Sequence, residues 1–499
     1  MKLPDTSPST PSLHYPPLRE WQQRCVDKAM QQLSPTRPHF LCQATPGAGK
    51  MLMSAVLAGL LLERGDVDFV LYLGPSRDVV SRAEQTLSEV TGLAMDGQLG
   101  ARGGCYTYQS LRSRLQTLQQ LGRQFRVLLI WDESHHAGRL PGTQKGANEW
   151  GQALLLLERN MALTLALSGT PWRTDGSCLP LLRYLDLPQG TQESESGEAA
   201  LQQRLVPDFV YTLQQAVRDG VCRLPLIQLV DNRRISLTVT DPRSRKPKKQ
   251  KQFTSIPRLL RGARVGYGDL LRHEAPMAYV LERGIARLSE LRRIQPAAGG
   301  LVVASDIEHA EDIAEWLGDR GEDACLVTSQ TPHAHSRLQA FRESAQAWVV
   351  SVGMISEGVD IPRLRVCCYL SHVRTEQHFR QVLGRIIRRM GEQDPDCHLV
   401  VINEPILRRY AHRIADDLPE EKAVVSVVPT EADGRGSSSS SSTGEQEAAE
   451  EPGEARDSVP DTAGVAFGSA ASASTTAARW EQDMAFSRRF IAHIATLKL

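Results

Sequence analysis

Residues 39–62 read "HFLCQATPGAGKMLMSAVLAGLLL", an apolar run, a glycine-containing turn and a second, longer apolar run. Gly47 and Gly49 permit a tight loop whose backbone N–H groups can surround phosphate oxygens. Lys50 adds a point charge, and a helix is expected directly after it. Strand, loop and helix in that order are the context a phosphate loop requires. The loop ends on Met51, where such loops normally place a hydroxyl residue, so part of a metal site is in question.

Working outward, short apolar and β-branched runs recur at "DFVLYL" (68–73), "RVLLIW" (126–131) and "LTLALS" (163–168), separated by helix-length intervals. Runs of this kind predict buried parallel strands in an α/β layer structure. The pattern stops and then resumes at "GLVVAS" (300–305), "WVVSVG" (348–353), "VCCYL" (366–370) and "HLVVI" (398–402), which predicts a second domain of similar make-up. Two such domains in tandem form a cleft. A chain of 499 residues is long enough for both.

The stretch "LLIWDESHHAG" places Asp132 and Glu133 at the C-terminal end of an apolar strand. Asp132 is positioned to hold Mg²⁺, and Glu133 to polarise an attacking water, the general-base task of nucleotide hydrolysis. His135 and His136 have no further ligands at zinc spacing, so His135 is read as a sensor or relay of the nucleotide state.

Phosphate loop plus Asp-Glu-Ser-His resembles the DExH-box helicases of superfamily 2, and further stretches carry the same resemblance. "LREWQQ" (18–23) resembles the adenine-recognising motif, with Arg19 and Gln22 at the matching positions. "GPSRDVVSRAEQ" (74–85) and "TYQSL" (107–111) resemble motifs that touch the nucleic-acid backbone, which brings in Pro75, Ser76, Arg77, Thr107 and Gln109. "LSGTPWRTDG" (167–176) resembles the coupling motif, with Ser168, Thr170 and Pro171.

In the second domain, "VGMISEGVDIP" (352–362) resembles the motif in which Gly358 and Asp360 face nucleotide. "QVLGRIIRR" (381–389) resembles the closing motif, in which Gln381, Arg385 and Arg388 face the phosphates across the cleft. Two such arginines stabilise charge on the transferred phosphoryl group only when the domains close. Arg380 and Arg389 lie outside the phosphate-facing positions. The match covers roughly residues 18–408 and is most similar to bacterial XPB-related helicases and to the helicase subunits of type III restriction enzymes. No nuclease signature accompanies it: "PDCHLVVINEP" lacks a Glu-x-Lys partner.

The resemblance implies two tandem RecA-like α/β domains with parallel sheets, at 18–186 and 299–410. Between them lies an inserted region, 187–298, with a helix at "YTLQQAVRDG" and a hairpin over "RLPLIQLVDNRRISLTV" turning at Asp231 and Asn232. The basic run "RSRKPKKQKQ" (243–252), with Lys246, Lys248, Lys249 and Lys251, reads equally as a solvated loop or a nucleic-acid contact. Residues 1–17 form a flexible N-terminus and 411–428 a connecting segment. The Ser-, Gly-, Glu- and Ala-rich stretch 429–478 is too poor in apolar residues to order itself. In 479–499, Phe486, Phe490, Ile494 and Leu497 predict one face of an amphipathic helix, docked on the protein's own surface or tethering a partner protein.

ATP and Mg²⁺ are the implied cofactors, with the loop residues Thr45, Pro46, Gly47, Ala48, Gly49, Lys50 and Met51 around the phosphates. Nucleic acid, DNA in preference to RNA, is the implied partner. Because 58 basic residues balance 58 acidic ones, affinity for a polyanion must come from local clustering. Nine scattered cysteines, the absence of a basic start followed by an apolar run, and no aliphatic stretch long enough to span a bilayer lead to the expectation of a soluble cytoplasmic protein.

Met51 bears on activity because a thioether cannot replace a hydroxyl on Mg²⁺, a hard cation that takes oxygen ligands. A water can fill the vacated position, so the loss is expected to cost about 1 to 3 kcal/mol, slowing a motor without abolishing it. The alternative is a nucleotide-controlled clamp on DNA or a partner, with little or no hydrolysis. A role as the motor subunit of a restriction or phage-defence complex rests on family analogy alone.

Overall fold

The computed structural model describes residues 15–133, 149–169, 184–186, 201–240, 247–263, 265–353, 361–391, 393–417, 424–427 and 481–497. The first part of the chain runs α1 (Glu20–Gln32), β1 (His39–Ala44), α2 (Lys50–Glu63), β2 (Phe69–Gly74), α3 (Arg77–Thr91), β3 (Gly103–Thr107), α4 (Tyr108–Gln124), β4 (Val127–Asp132), α5 (Glu149–Glu158) and β5 (Leu163–Ser168). Next come β6 (Tyr184–Asp186), β7 (Leu201–Leu205), β8 (Phe209–Tyr211) and α6 (Leu213–Arg218). The sheet built from them is parallel in the order β3-β2-β4-β5-β1-β8.

Both faces of this sheet are buried, as parallel sheets require. Along β4, Leu128 and Ile130 join one core while Val127, Leu129 and Trp131 join the other. Because both faces are dry, these strands read in the sequence as continuous apolar runs.

The second part runs β9 (Leu224–Asn232), β10 (Ile235–Thr240), β11 (Pro247–Phe253), α7 (Ile256–Gly262), α8 (Tyr267–Arg272), α9 (Glu274–Arg292), β12 (Gly299–Val303), α10 (Ile307–Gly318), β13 (Ala324–Val327) and α11 (Ala334–Glu343). It continues with β14 (Trp348–Ser351), β15 (Leu364–Tyr369), α12 (Glu376–Ile386), β16 (Asp396–Ile402), α13 (Pro405–Ala415), β17 (Val424–Val427), β18 (Glu481–Phe486) and β19 (Phe490–Thr496). Its main sheet has the order β13-β14-β12-β15-β16-β9-β19, parallel except for the last strand. Two small antiparallel sheets, β11-β10-β18 and β17-β7-β6, complete the described structure. All seven apolar runs picked out in the sequence lie on parallel strands.

Three local expectations are corrected. The stretch 187–298 is not a body apart: β8 closes the edge of the first sheet, while β9 and α9 pack into the second domain. The chain does bend at Asn232, but β9 and β10 do not pair with each other. Each takes a C-terminal strand instead, β9 with β19 and β10 with β18. The two bends interlock, with Asn232 Nδ2 donating to the Ser487 carbonyl at 2.7 Å and Ser487 N to the Arg234 carbonyl at 3.0 Å.

The third correction is the C-terminal segment, which forms two strands rather than a helix. The spacing that predicted a helix, Phe486, Phe490, Ile494, is a step of four, which is even, so it also lines one face of a strand. In the structure Ala495 and Leu497 are buried and Ile494 is 66% exposed. Phe490 stacks on Tyr279 of α9 at 4.7 Å, and Phe486 meets His273 edge-on at 4.8 Å. The segment thus docks on the second domain. Part of the basic run is also ordered: residues 247–253 form β11, antiparallel to β10. The low-complexity stretch 429–478 and the N-terminal 14 residues lie outside the described residues.

Candidate functional site: a cleft between the two sheets

The phosphate loop leaves the C-terminal end of β1 and enters α2 at Lys50. Gly47 and Gly49 sit at φ 80° and 98°, left-handed conformations that an L side chain adopts only with strain. Neighbours add a steric reason: a Cβ on Gly47 would lie 2.9 Å from Arg388 Cγ, and one on Gly49 would lie 3.0 Å from Gln22 Nε2. The start of the loop is tied to β8, Thr45 N donating to the Tyr211 carbonyl at 3.1 Å. Tyr211 in turn stacks on Trp21 of α1 at 4.7 Å.

Arg19 and Gln22 reach the loop from behind. Arg19 Nη1 donates to the Ala48 carbonyl at 2.7 Å and Gln22 Nε2 to the Gly49 carbonyl at 2.8 Å. Both side chains satisfy loop carbonyls, and within the loop Ala48 N donates to the Thr45 carbonyl at 3.3 Å. Lys50 Nζ donates to the Ala44 carbonyl at 3.0 Å.

Asp132 ends β4, in the middle of the first sheet, and Glu133 follows it. Tyr72 of β2 donates its hydroxyl to Asp132 Oδ2 at 2.7 Å, and Glu133 N donates to Asp132 Oδ1 at 3.0 Å. Burial and the nearby charge of Glu133 push the Asp132 carboxyl up to about 6, opposed by Lys50 and the Tyr72 hydrogen bond. Glu133 has φ 52°, one of three non-glycine residues at positive φ among those described. Such a conformation costs roughly 1 to 3 kcal/mol and collects at functional positions.

The second domain supplies the opposite wall. Gln381, Arg385 and Arg388 line the same cleft of about 310 Å³ as Gly47, Lys50, Asp132 and Glu133. Helix α12 approaches closely because Gly384 carries no side chain: a Cβ there would sit 2.7 Å from Pro46 Cβ. Arg388 is lowered to about 10, first by burial and then by the charges of Arg82 and Arg342, so it remains a cation at neutral pH.

The C-terminal end of α12 is held by Arg223, which is fully buried. Its Nε donates to Asp394 Oδ2 at 2.7 Å and its Nη1 to the Ile386 carbonyl at 2.7 Å, while Arg223 N donates to the Ile387 carbonyl at 2.7 Å. A buried arginine spanning these groups fixes the turn that presents Arg388. The sequence reading missed Arg223, Tyr72 and Arg82. Arg223 follows no motif, Tyr72 looks like any core aromatic of a strand, and Arg82 lies on a helix face that only the fold turns into the cleft.

Several expected residues fall elsewhere. Pro75 lines the cleft. Ser76 and Thr107 cap α3 and α4, accepting from Val79 N and Ser110 N. Arg77 and Gln109 are exposed beside them, at the carboxyl ends of β2 and β3. Ser168 is buried at the end of β5, next to Gln43 of β1. His135, Thr170, Gly358, Asp360 and Lys246 lie outside the described residues, and Lys248 and Lys249 are described only as backbone of β11. Arg380 pairs with Glu376 at 2.8 Å on its own helix.

For a hard divalent cation the cleft offers the half-buried carboxylates of Asp132 and Glu133, and from Met51 only a thioether. Ser54 does not substitute, because its hydroxyl is buried and donates back to the Met51 carbonyl at 2.8 Å. This donor set fits an ion that keeps most of its waters and takes phosphate oxygens, as Mg²⁺ does.

Two layered α/β domains thus bring a phosphate loop, an acidic pair and facing arginines to one cleft. Residues 16–173 match the type III restriction enzyme res-subunit family model. It is 31% identical over 397 residues to uncharacterized protein Rv2917 of Mycobacterium tuberculosis, covering 76% of this chain and 60% of that one. It is also 24% identical over 264 residues to putative helicase 22 of a Sulfolobus islandicus filamentous virus, covering 52% and 40%. The chain thus spans about 60% of the length of the mycobacterial relative. The fold is shared with the fragment of a putative HsdR subunit of a type I restriction enzyme from Vibrio vulnificus YJ016, with TM-score 0.50, 15% identity, and coverage of 81% and 67%.

Proposed function

We propose that the protein is an ATP-dependent motor that moves along nucleic acid, DNA in preference to RNA. The observation that carries this reading is the single cleft in which Lys50, Asp132 and Glu133 from one domain meet Arg385 and Arg388 from the other. The loop N–H groups and Lys50 bind the β- and γ-phosphates. Glu133 orients a water and accepts its proton. Arg385 and Arg388 stabilise the charge on the transferred phosphoryl group, and they do so only while the domains are closed. Asp132 is the residue to hold Mg²⁺, which when bound offsets phosphate charge.

Coupling follows from that division of labour. Arg388 packs against Gly47, so phosphate binding and release act directly on the contact between the domains. A strand gripped by both domains is then advanced as the contact forms and breaks.

Steady-state ATP hydrolysis, measured alone and with single-stranded DNA, duplex DNA or RNA, tests the reading, with Lys50→Ala as the control for contaminants. Hydrolysis stimulated by one polymer and lost in the variant is the expected result. No hydrolysis with any polymer, despite ATP binding, overturns it in favour of a nucleotide-controlled clamp. That second reading is favoured by Met51 and by the Ser54 hydroxyl being engaged elsewhere.

A further inference from the structure

A second cavity, of about 480 Å³, lies in the second domain, where β9 and the carboxyl end of β16 meet α7, α13 and β19. It shares no lining residue with the nucleotide cleft. Five basic side chains from three elements surround it: Arg258 and Arg261 from α7, Arg408 and His412 from α13, and His493 from β19.

In a chain whose charges balance overall, this is local clustering of the kind a polyanion site needs. None of the three arginines has an ion pair with a carboxylate among the described residues. Arg258 Nη1 donates to Thr254 Oγ1 at 2.8 Å, and Arg261 Nε donates to the Pro257 carbonyl at 3.3 Å. The one carboxylate lining the cavity, Asp231, is already engaged. Its Oδ1 accepts from Asn232 N at 2.8 Å and Ile256 N at 2.6 Å, and its Oδ2 from Asn403 Nδ2 at 2.9 Å.

The lining also says what kind of anion fits. Leu229 and Pro257 are its apolar members and no Phe, Tyr or Trp lines it, so the large aromatic platforms that stack successive bases are lacking there. Guanidinium and imidazole groups around a polar hollow suit phosphate oxygens. Strand β11 runs directly into α7 through Thr254 and Ser255.

We propose that this cavity is a phosphodiester clamp, in which Arg258, Arg261 and Arg408 hold consecutive backbone phosphates of the nucleic-acid strand. The proposal rests on the motor reading given above. The site exists only because the C-terminal segment returns: β19 seals the edge of β9 and brings His493 to the rim. The clamp contacts backbone alone and is indifferent to base sequence.

The test uses the full chain and the triple variant R258Q/R261Q/R408Q, with a fluorescently labelled single-stranded oligonucleotide titrated at several salt concentrations. Polymer-free and polymer-stimulated ATP hydrolysis are measured alongside. The expected result is an affinity loss of about tenfold or more and a log–log salt slope shallower by about 2, since each lost phosphate contact on a single strand removes about 0.7. Polymer-free hydrolysis stays unchanged, and the triple lysine variant keeps most of the slope. Unchanged affinity and slope in the glutamine variant, with wild-type hydrolysis still stimulated, overturn the clamp and leave the motor reading standing. A lysine variant that behaves like the glutamine one also overturns it, by showing a packing role in place of a charge role. Wild-type protein that neither binds nor responds to any polymer overturns both.

Discussion

At the scale of the residue, Met51 and Arg388 separate rate from binding. Met51→Thr restores an oxygen ligand in the phosphate loop and is expected to raise turnover by about ten- to a hundredfold, the equivalent of 1 to 3 kcal/mol. Turnover is read from steady-state hydrolysis at saturating ATP; a flat result means that the hydroxyl is not limiting. Arg388→Ala removes a cation that acts on the transition state, so hydrolysis should fall by about 10³ to 10⁵ while nucleotide affinity changes far less. Fluorescent-nucleotide binding beside hydrolysis separates the two; equal losses in both would place Arg388 in ground-state binding.

At the scale of the element, α12 depends on a buried ion pair and β9 on a strand from the other end of the chain. Arg223→Met removes one of two arginines paired with the fully buried Asp394, leaving Arg365 Nε 2.9 Å from its Oδ1. Because Arg365 stays with the carboxylate, the cost should lie below the roughly 3 to 5 kcal/mol typical of leaving a buried charge unpaired. Denaturant titration should show a loss, and the double variant Arg223→Met/Arg365→Met, which strips Asp394 of both partners, should lose more. Removing residues 481–499 strips β18 and β19 from their partners and bares the edges of β9 and β10. The truncated chain is expected to melt at lower temperature and to self-associate, because unpaired edges template further pairing. Scanning calorimetry and light scattering check both; an unchanged melting temperature would show that the C-terminal strands add nothing to the fold.

At the scale of the whole molecule, stability carries a pH signature from the second domain. Burial, helped by His372, lowers His378 to about 4, and its Nδ1 lies 2.9 Å from the Tyr369 hydroxyl. The native state therefore keeps His378 neutral, whereas the unfolded chain protonates it below about 6.5. The unfolded state binds the extra proton between those values. The His378 contribution is fully favourable above about pH 6.5 and falls as pH drops towards 4, by at most about 1.4 kcal/mol per pH unit. Denaturant midpoints at pH 7 and pH 5 should differ for the wild type and differ less for His378→Gln; identical shifts would assign the effect to other groups. Asp396, lowered to about 2 by hydrogen bonding to His398 and by nearby arginines, loses its contribution only between about pH 3.8 and 2, below that window.

The sequence by itself determined the strands of both parallel sheets that carry the motifs, the phosphate loop, and Asp132 and Glu133 at a strand end, while Arg385 and Arg388 were reached through the family resemblance. It could do so because fully buried strands are written as continuous apolar runs, and because the loop and acidic pair are contiguous in the chain. Tertiary structure decided the rest. A step of four cannot tell a helix from a strand, so residues 481–497 became strands only because β9 and β10 offered them open edges. The same long-range pairing undid the expected β9–β10 hairpin, built the cavity around Arg408 and His493, and divided the inserted region between two sheets. Arg82, Arg223 and Tyr72 entered the site for a similar reason. Each is placed by contacts between segments far apart in the chain, and no local pattern records such contacts.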